Sequence, residues 1–423
     1  MTTNTNNIRK SLLYCLEVLI FIGLGQITGT LISEVVIKGI LKLIDSPLLN
    51  DPAFLTFSEY IMFIGIWIVF FSYYSGKNKE KVITDVLSRK CRGNTFMCFV
   101  IGLLIGFFTN FICGYLAIKH GDIVIDYIGF KPLETMMVFL AILVQSGAEE
   151  LLCRGLLYQK LRRRYGDGLR PITISSMLFA CLHLFNDGIT IVSFLNLILA
   201  GILPALMIYY FDSMWMCIAE HTAWNFTQNI LLGLPNSGIR VPFSIFVLRE
   251  NMAHDSFFYN VGFGIEGSAI SLIVLLMVIV VLILTFSGRR KPGYDVWQGI
   301  TEDEIEKDQQ EKADAKMLKK IKKYTARDYR KKLRKNPDYT YSQLLEYELG
   351  KEDRSIKRQY PTMAVILLTT LGLYLYVLPG YEPKQLVSVL FGEVLGVAVA
   401  LPMSRKQSKR RKELLNTYLS DLS

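Results

Sequence analysis

The sequence predicts an all-α protein: a polytopic membrane bundle of about eight core transmembrane helices, a charged helical cytoplasmic segment, and a C-terminal transmembrane hairpin. Three observations carry that prediction. Hydrophobic residues fill 51% of the 423 positions and charged residues 20%, with a mean hydropathy of +0.33, so too little polar side chain remains to clothe a soluble domain. The apolar residues gather in runs of about 17 to 26, the length that crosses a bilayer's hydrocarbon core. Basic residues fall between the runs and cluster on alternate loops, as orientation by charge requires.

The first run, 11–44, follows only Arg9 and Lys10. It is longer than a signal-peptide core and lacks a small-residue cleavage site before polar sequence, so it reads as a retained helix. Further spans are expected at 59–75, 94–119, 133–158, 171–186, 190–211, 214–233, 267–287, 361–379 and 385–403. Backbone polar groups in lipid must be satisfied within their own segment, which makes each span a helix. Basic clusters include Lys77 to Arg92, Lys160 to Arg170, Arg289 to Lys291 and Arg405 to Lys412, whereas 45–59 and 122–131 are poor in cations. Ten spans with both termini cytoplasmic put every basic cluster on one side, as expected for an integral protein of the cell membrane.

Three regions follow from this layout: a bundle at 1–287, a charged cytoplasmic segment at 288–360, and a hairpin with a basic tail at 361–423. Thr301 and Glu304 have the spacing of a capping box, and the chain beyond them is rich in Glu, Lys, Ala and Gln. From Lys319 to Lys335 basic residues dominate, with Tyr324 and Tyr329 interleaved. The plain reading is a solvated helix, and the functional one a face held against anionic lipid. Nucleic acid is not an expected partner, because no readout motif accompanies the formal net charge of +10. The seven cysteines form no CxxC pair and read as apolar filler in a reducing setting. No internal repeat is visible, which weakens a transporter built from inverted halves.

Ionisable residues inside a bilayer cost about 2.5–3.5 kcal/mol each, so each needs a reason. The fourth span holds Glu149, Glu150 and Arg154, the fifth His183, and the seventh His221 and Asn225 with Glu220 beside them. At about 1.5 Å per residue, Glu149, His183, His221 and Asn225 lie roughly 12–18 Å in from the cytoplasmic ends of three alternating helices. Glu150 and Arg154 are spaced to pair along their helix, which leaves Glu149 uncompensated. Each histidine alone reads as a core residue bonded to a carbonyl, and Asn225 alone as interhelical glue. Jointly they describe a polar cavity near mid-membrane. Trp224, Gln228 and Asn229 read as packing and interfacial residues, while His120 and His254 fall in outer loops.

Such a set supports amide hydrolysis. A poorly solvated carboxylate can act as general base toward a water held by an imidazole. A second imidazole and a carboxamide can stabilise the oxyanion. Two imidazoles and a carboxylate are equally a zinc-ligand set, here Glu149, His183 and His221. HExxH, Gly-x-Ser-x-Gly and Ser-x-x-Lys patterns are absent.

In order and spacing these residues resemble the motifs of the CAAX-prenyl-protease and bacteriocin-processing (Abi) family of intramembrane peptidases. Glu149, Glu150 and Arg154 match its Glu-Glu-x-x-x-Arg motif, Phe179 and His183 its Phe-x-x-x-His motif, and His221 and Asn225 its His-x-x-x-Asn motif. The resemblance covers about 130–235 and implies a helical intramembrane peptidase. In it Glu149 and His183 activate water, His221 and Asn225 stabilise the oxyanion, and Glu150 with Arg154 organises the site. It implies a membrane-associated peptide or lipidated protein as substrate, and leaves zinc-dependent and metal-independent mechanisms both open. The competing expectation is a non-catalytic bacteriocin-immunity or scaffold protein of the same fold.

Overall fold

The computed structural model describes residues 2–75, 79–166, 168–288, 293–338, 340, 343–344, 346–352, 354 and 407–418. The chain divides into two compact units, Met1–Gly299 and Ile300–Ser423. The expected spans at 361–379 and 385–403 lie outside the described residues.

Each of the other eight expected spans is a helical segment in the first unit. They are α1 (Asn7–Leu43), α2 (Pro52–Tyr74), α3 (Phe96–His120), α4 (Pro132–Tyr165), α5 (Leu169–Leu182), α6 (Ile191–Phe211) and α8 (Ala269–Phe286), with α7 at Met214–Asn225 running on into Phe226–Leu231. Among the described residues six of these, α1 to α4, α6 and α8, are long and apolar enough to cross a membrane. The chain is thus an integral membrane protein. α5 falls short because its 14 residues rise only about 21 Å. α7 fails on composition, and its burial explains why: from Met214 to Asn225 only Trp215 and His221 escape full burial. A helix wrapped by other helices needs no apolar face toward lipid.

Helix ends follow local chemistry. α2 starts seven residues earlier than the apolar run suggests, because Asp51 caps it by accepting from Phe54 N at 2.8 Å, with Pro52 in the first turn. Thr95 caps α3, and Gly121, at φ +90°, ends it. Close approach of helices is bought with glycine. A Cβ at Gly29 would stand 1.7 Å from Met62 O, and one at Gly65 2.1 Å from Gly25 O, so α1 and α2 meet backbone to backbone. α3 meets α7 in the same way: a Cβ at Gly102 would lie 2.3 Å from Met216 O, and one at Gly106 2.0 Å from Glu220 O. Neither Gly-x-x-x-Gly pair is visible in hydropathy.

Two short strands, β1 (Ile125–Tyr127) and β2 (Phe246–Leu248), pair antiparallel outside the bundle. They tie the loop after α3 to the long connection between α7 and α8. Arg249 clamps Asp126 beside them, with Nη2 donating to Oδ1 at 2.6 Å. Asp122 Oδ1 lies 3.0 Å from His120 Nδ1 and 3.1 Å from His254 Nε2. The two outer histidines therefore share one aspartate.

In the second unit α9 (Glu302–Leu333) begins at the anticipated capping box, with Thr301 and Glu304 bonding reciprocally. Acidic residues fill its first turn and basic ones its last, as the helix dipole favours. Ile321 packs with Leu344 and Leu415. A helix at 407–418 supplies Leu415, and Arg410 Nη2 donates to Asp314 Oδ2 at 2.7 Å.

Candidate functional site

α4, α5 and α7 bring their polar residues to one cavity of about 160 Å³. Glu149 from α4, His183 at the end of α5, and His221 with Asn225 from α7 all line it. Glu150 and Arg154 do not reach it. They are fully buried behind it, with Arg154 Nη1 donating to Glu150 Oε1 at 3.0 Å and Nη2 to Gly201 O at 2.7 Å. The Arg154 guanidinium lies 4.8 Å from the centre of the Phe179 ring.

Both imidazoles are anchored through Nδ1. His183 Nδ1 lies 2.9 Å from Phe179 O, and His221 Nδ1 lies 3.0 Å from Glu150 Oε1. With Nδ1–H donated to an oxygen, the neutral ring presents the Nε2 lone pair on its other side. His221 Nε2 stands 3.7 Å from Glu149 Oε2. The other oxygen of Glu149 accepts from Gln145 Nε2 at 2.7 Å. One carboxylate therefore faces the imidazole across the cavity while its neighbour fixes that imidazole from behind.

Asn225 is committed to its surroundings. Its Nδ2 donates to Gln145 Oε1 at 3.1 Å and to Ser146 Oγ at 3.4 Å, and its Oδ1 accepts from Asn236 Nδ2 at 2.9 Å. The long bond to Ser146 is the weak one. Among the described residues no three His, Cys, Asp or Glu side chains converge closely enough to hold a metal ion. Glu149, His183 and His221 line the cavity without forming a ligand set.

Local helix geometry shapes the site. α4 widens into a π segment at Leu151–Tyr158, directly after Glu150, and α7 does so at Phe226–Leu231, directly after Asn225. Wide turns of this kind gather at functional sites. The Glu150–Arg154 pair spans the first of these junctions.

Several lining residues were not singled out from the sequence. Trp224 and Asn229, read there as packing and interfacial residues, face the cavity. Trp224 Nε1 donates to Glu266 Oε1 at 2.9 Å, and Asn229 Oδ1 accepts from Tyr60 at 2.5 Å. Gln145 shares the α4 face of Glu149 one turn earlier and lines the cavity with it. Asn236, Ser237 and Glu266 come from the α7–α8 connection, where no periodicity marks a cavity wall. Glu266 Oε2 accepts from Ser237 N at 2.7 Å and Ser237 Oγ at 2.6 Å, pinning that connection over the site.

Residues 131–227 match the family model described as type II CAAX prenyl endopeptidase, Rce1-like. That segment contains every motif residue of the cavity. At family level it aligns the chain with CAAX-protease-like intramembrane endopeptidases. No curated protein and no solved structure matches the chain.

Proposed function

We propose that this protein is an intramembrane endopeptidase that hydrolyses a peptide bond in a membrane-associated or lipidated peptide, by chemistry of the CAAX-prenyl-protease type. The observation that carries the reading is the approach of Glu149 to His221 across a cavity that His183 and Asn225 also line.

In this reading water sits between Glu149 Oε2 and the imidazole Nε2 atoms, donating one hydrogen to the carboxylate and the other to an Nε2. Glu149 takes one proton as the water oxygen bonds to the carbonyl carbon. The oxyanion that forms meets Asn225 Nδ2–H, released from its long bond to Ser146. The C–N bond then breaks, and the proton held by Glu149 passes to the leaving nitrogen. Glu150 positions His221, and Arg154 holds Glu150 in place. The basic face of α9 and the residues just beyond it, 319–335, would lie against anionic lipid, with the buried Ile321 and Thr325 turned into their own unit.

The test is cleavage of a mixed lipopeptide and leader-peptide library by purified protein. Wild type is expected to cut a subset, and Glu149→Gln to lose about 10²–10⁴-fold in rate while staying folded. Full activity in Glu149→Gln would overturn the assignment. A parallel run with chelator decides whether the imidazoles hold the water directly or through zinc.

A further inference from the structure

Every buried carboxylate at the site has hydrogen-bond donors except one. Glu149 has Gln145, Glu150 has Arg154 and His221, and Glu266 has Trp224 and Ser237. Glu220 is 5% exposed, lines the cavity, and makes no hydrogen bond or ion pair among the described residues. The cations near it are already engaged: Arg154 is bound to Glu150 and Gly201 O, and His221 to Glu150. No lysine or arginine is among the residues lining the cavity.

Glu220 and Trp224 stand one turn apart on α7, and the same cavity is walled by Leu197, Ala200 and Leu275. An alkyl stem fits such apolar walls, a cation fits the unsatisfied carboxylate, and an indole face adds to its attraction. A cation brought beside a poorly solvated carboxyl favours its charged form and is attracted to it, so a ligand that supplies one gains on binding. A substrate carboxylate brought to the same place would meet the like charge of Glu220.

We propose that Glu220 heads a subsite that takes a lysine or arginine side chain of the bound peptide, and that the cavity disfavours an anionic group at that position. The subsite deepens the peptidase reading and rests on it for the identity of the ligand.

The test is equilibrium binding, so it needs no turnover. Full-length Glu149→Gln protein in nanodiscs is titrated with a membrane-anchored peptide series in which one lysine, norleucine or glutamate is walked along the sequence. At one position lysine is expected to bind on the order of tenfold tighter than norleucine, with glutamate weakest. Glu220→Gln and Glu220→Met, the second of similar volume, are each expected to abolish that preference, and Glu220→Lys to favour glutamate. Binding of the series without charge preference, or a lysine preference that survives both neutral variants, overturns the subsite and leaves the peptidase reading standing. No binding by any member overturns both.

Discussion

Glu150 Oε1 lies 3.0 Å from His221 Nδ1, so the second carboxylate of the motif holds the imidazole that faces the first. The same oxygen accepts from Arg154. The Glu-Glu-x-x-x-Arg motif thus divides its labour: one glutamate borders the cavity, and the other, fixed by the arginine, sets the ring.

Glu150→Gln retains an acceptor oxygen for both partners and removes the charge. Activity is expected to fall about 10–100-fold with the protein still folded, as when the partner that orients a functional histidine is lost. Glu150→Ala strands a fully buried guanidinium and is expected to cost about 3–5 kcal/mol. Cleavage rates and thermal melting in detergent separate the two effects.

Gly106→Val would drive a side chain into Glu220 O and push α7 away from α3. The expected cost is about 1–3 kcal/mol, with loss of activity because α7 carries His221 and Asn225. Gly23→Ala, where an added Cβ meets nothing within 4 Å, is the control and is expected to change stability by at most about 0.5 kcal/mol. Equal behaviour of the two variants would sink this account of the α3–α7 seam.

Asp122 supplies the pH dependence. Burial alone pushes its carboxyl up, but hydrogen bonds from His120 and Ser256 and the charges of His120 and His254 outweigh burial and hold it below the usual carboxylate value. A carboxyl lowered by folding contributes stability above its unfolded value and loses it as pH falls through the folded one. The contribution is therefore complete at neutral pH and declines below roughly pH 4. Asp122→Asn is expected to lower Tm by about 2–4 °C at pH 7. That gap should close as the medium is acidified, and a gap that widens in acid would contradict the sign.

Glu266→Ala removes the acceptor of Trp224 Nε1, Ser237 N and Ser237 Oγ together. Unsatisfied buried donors cost about 1–3 kcal/mol each, so the α7–α8 connection is expected to loosen. Faster hydrogen exchange at residues 236–239 than in wild type would report it.

Much of this was legible because charge in an apolar helix is conspicuous. Glu149, Glu150, Arg154, His183 and His221 stood out by cost alone, and Thr301 with Glu304 announced a helix start by spacing. Uncharged polar residues gave no comparable contrast: Gln145 and Trp224 have ordinary packing roles in most helices. Asn236, Ser237 and Glu266 reach the cavity only because a connection folds back over it, a tertiary event without local signature. His120 and His254 are far apart in sequence and meet on Asp122 through docking of two loops, and strands of three residues are too short for alternation to show. α7 is helical where a span was expected, but its polar residues and its burial set it apart from the six long apolar helices among the described residues.

The wide turn at Leu151–Tyr158 makes the site sensitive to chain length. The wide turn already absorbs more chain than an α-turn, so inserting a further residue between Glu150 and Arg154 would rotate everything beyond it by about 100° against Glu149 and Glu150. Arg154 would then point away from its carboxylate. Substitutions in this stretch leave the phase of α4 intact, whereas a single-residue insertion uncouples the two halves of the motif.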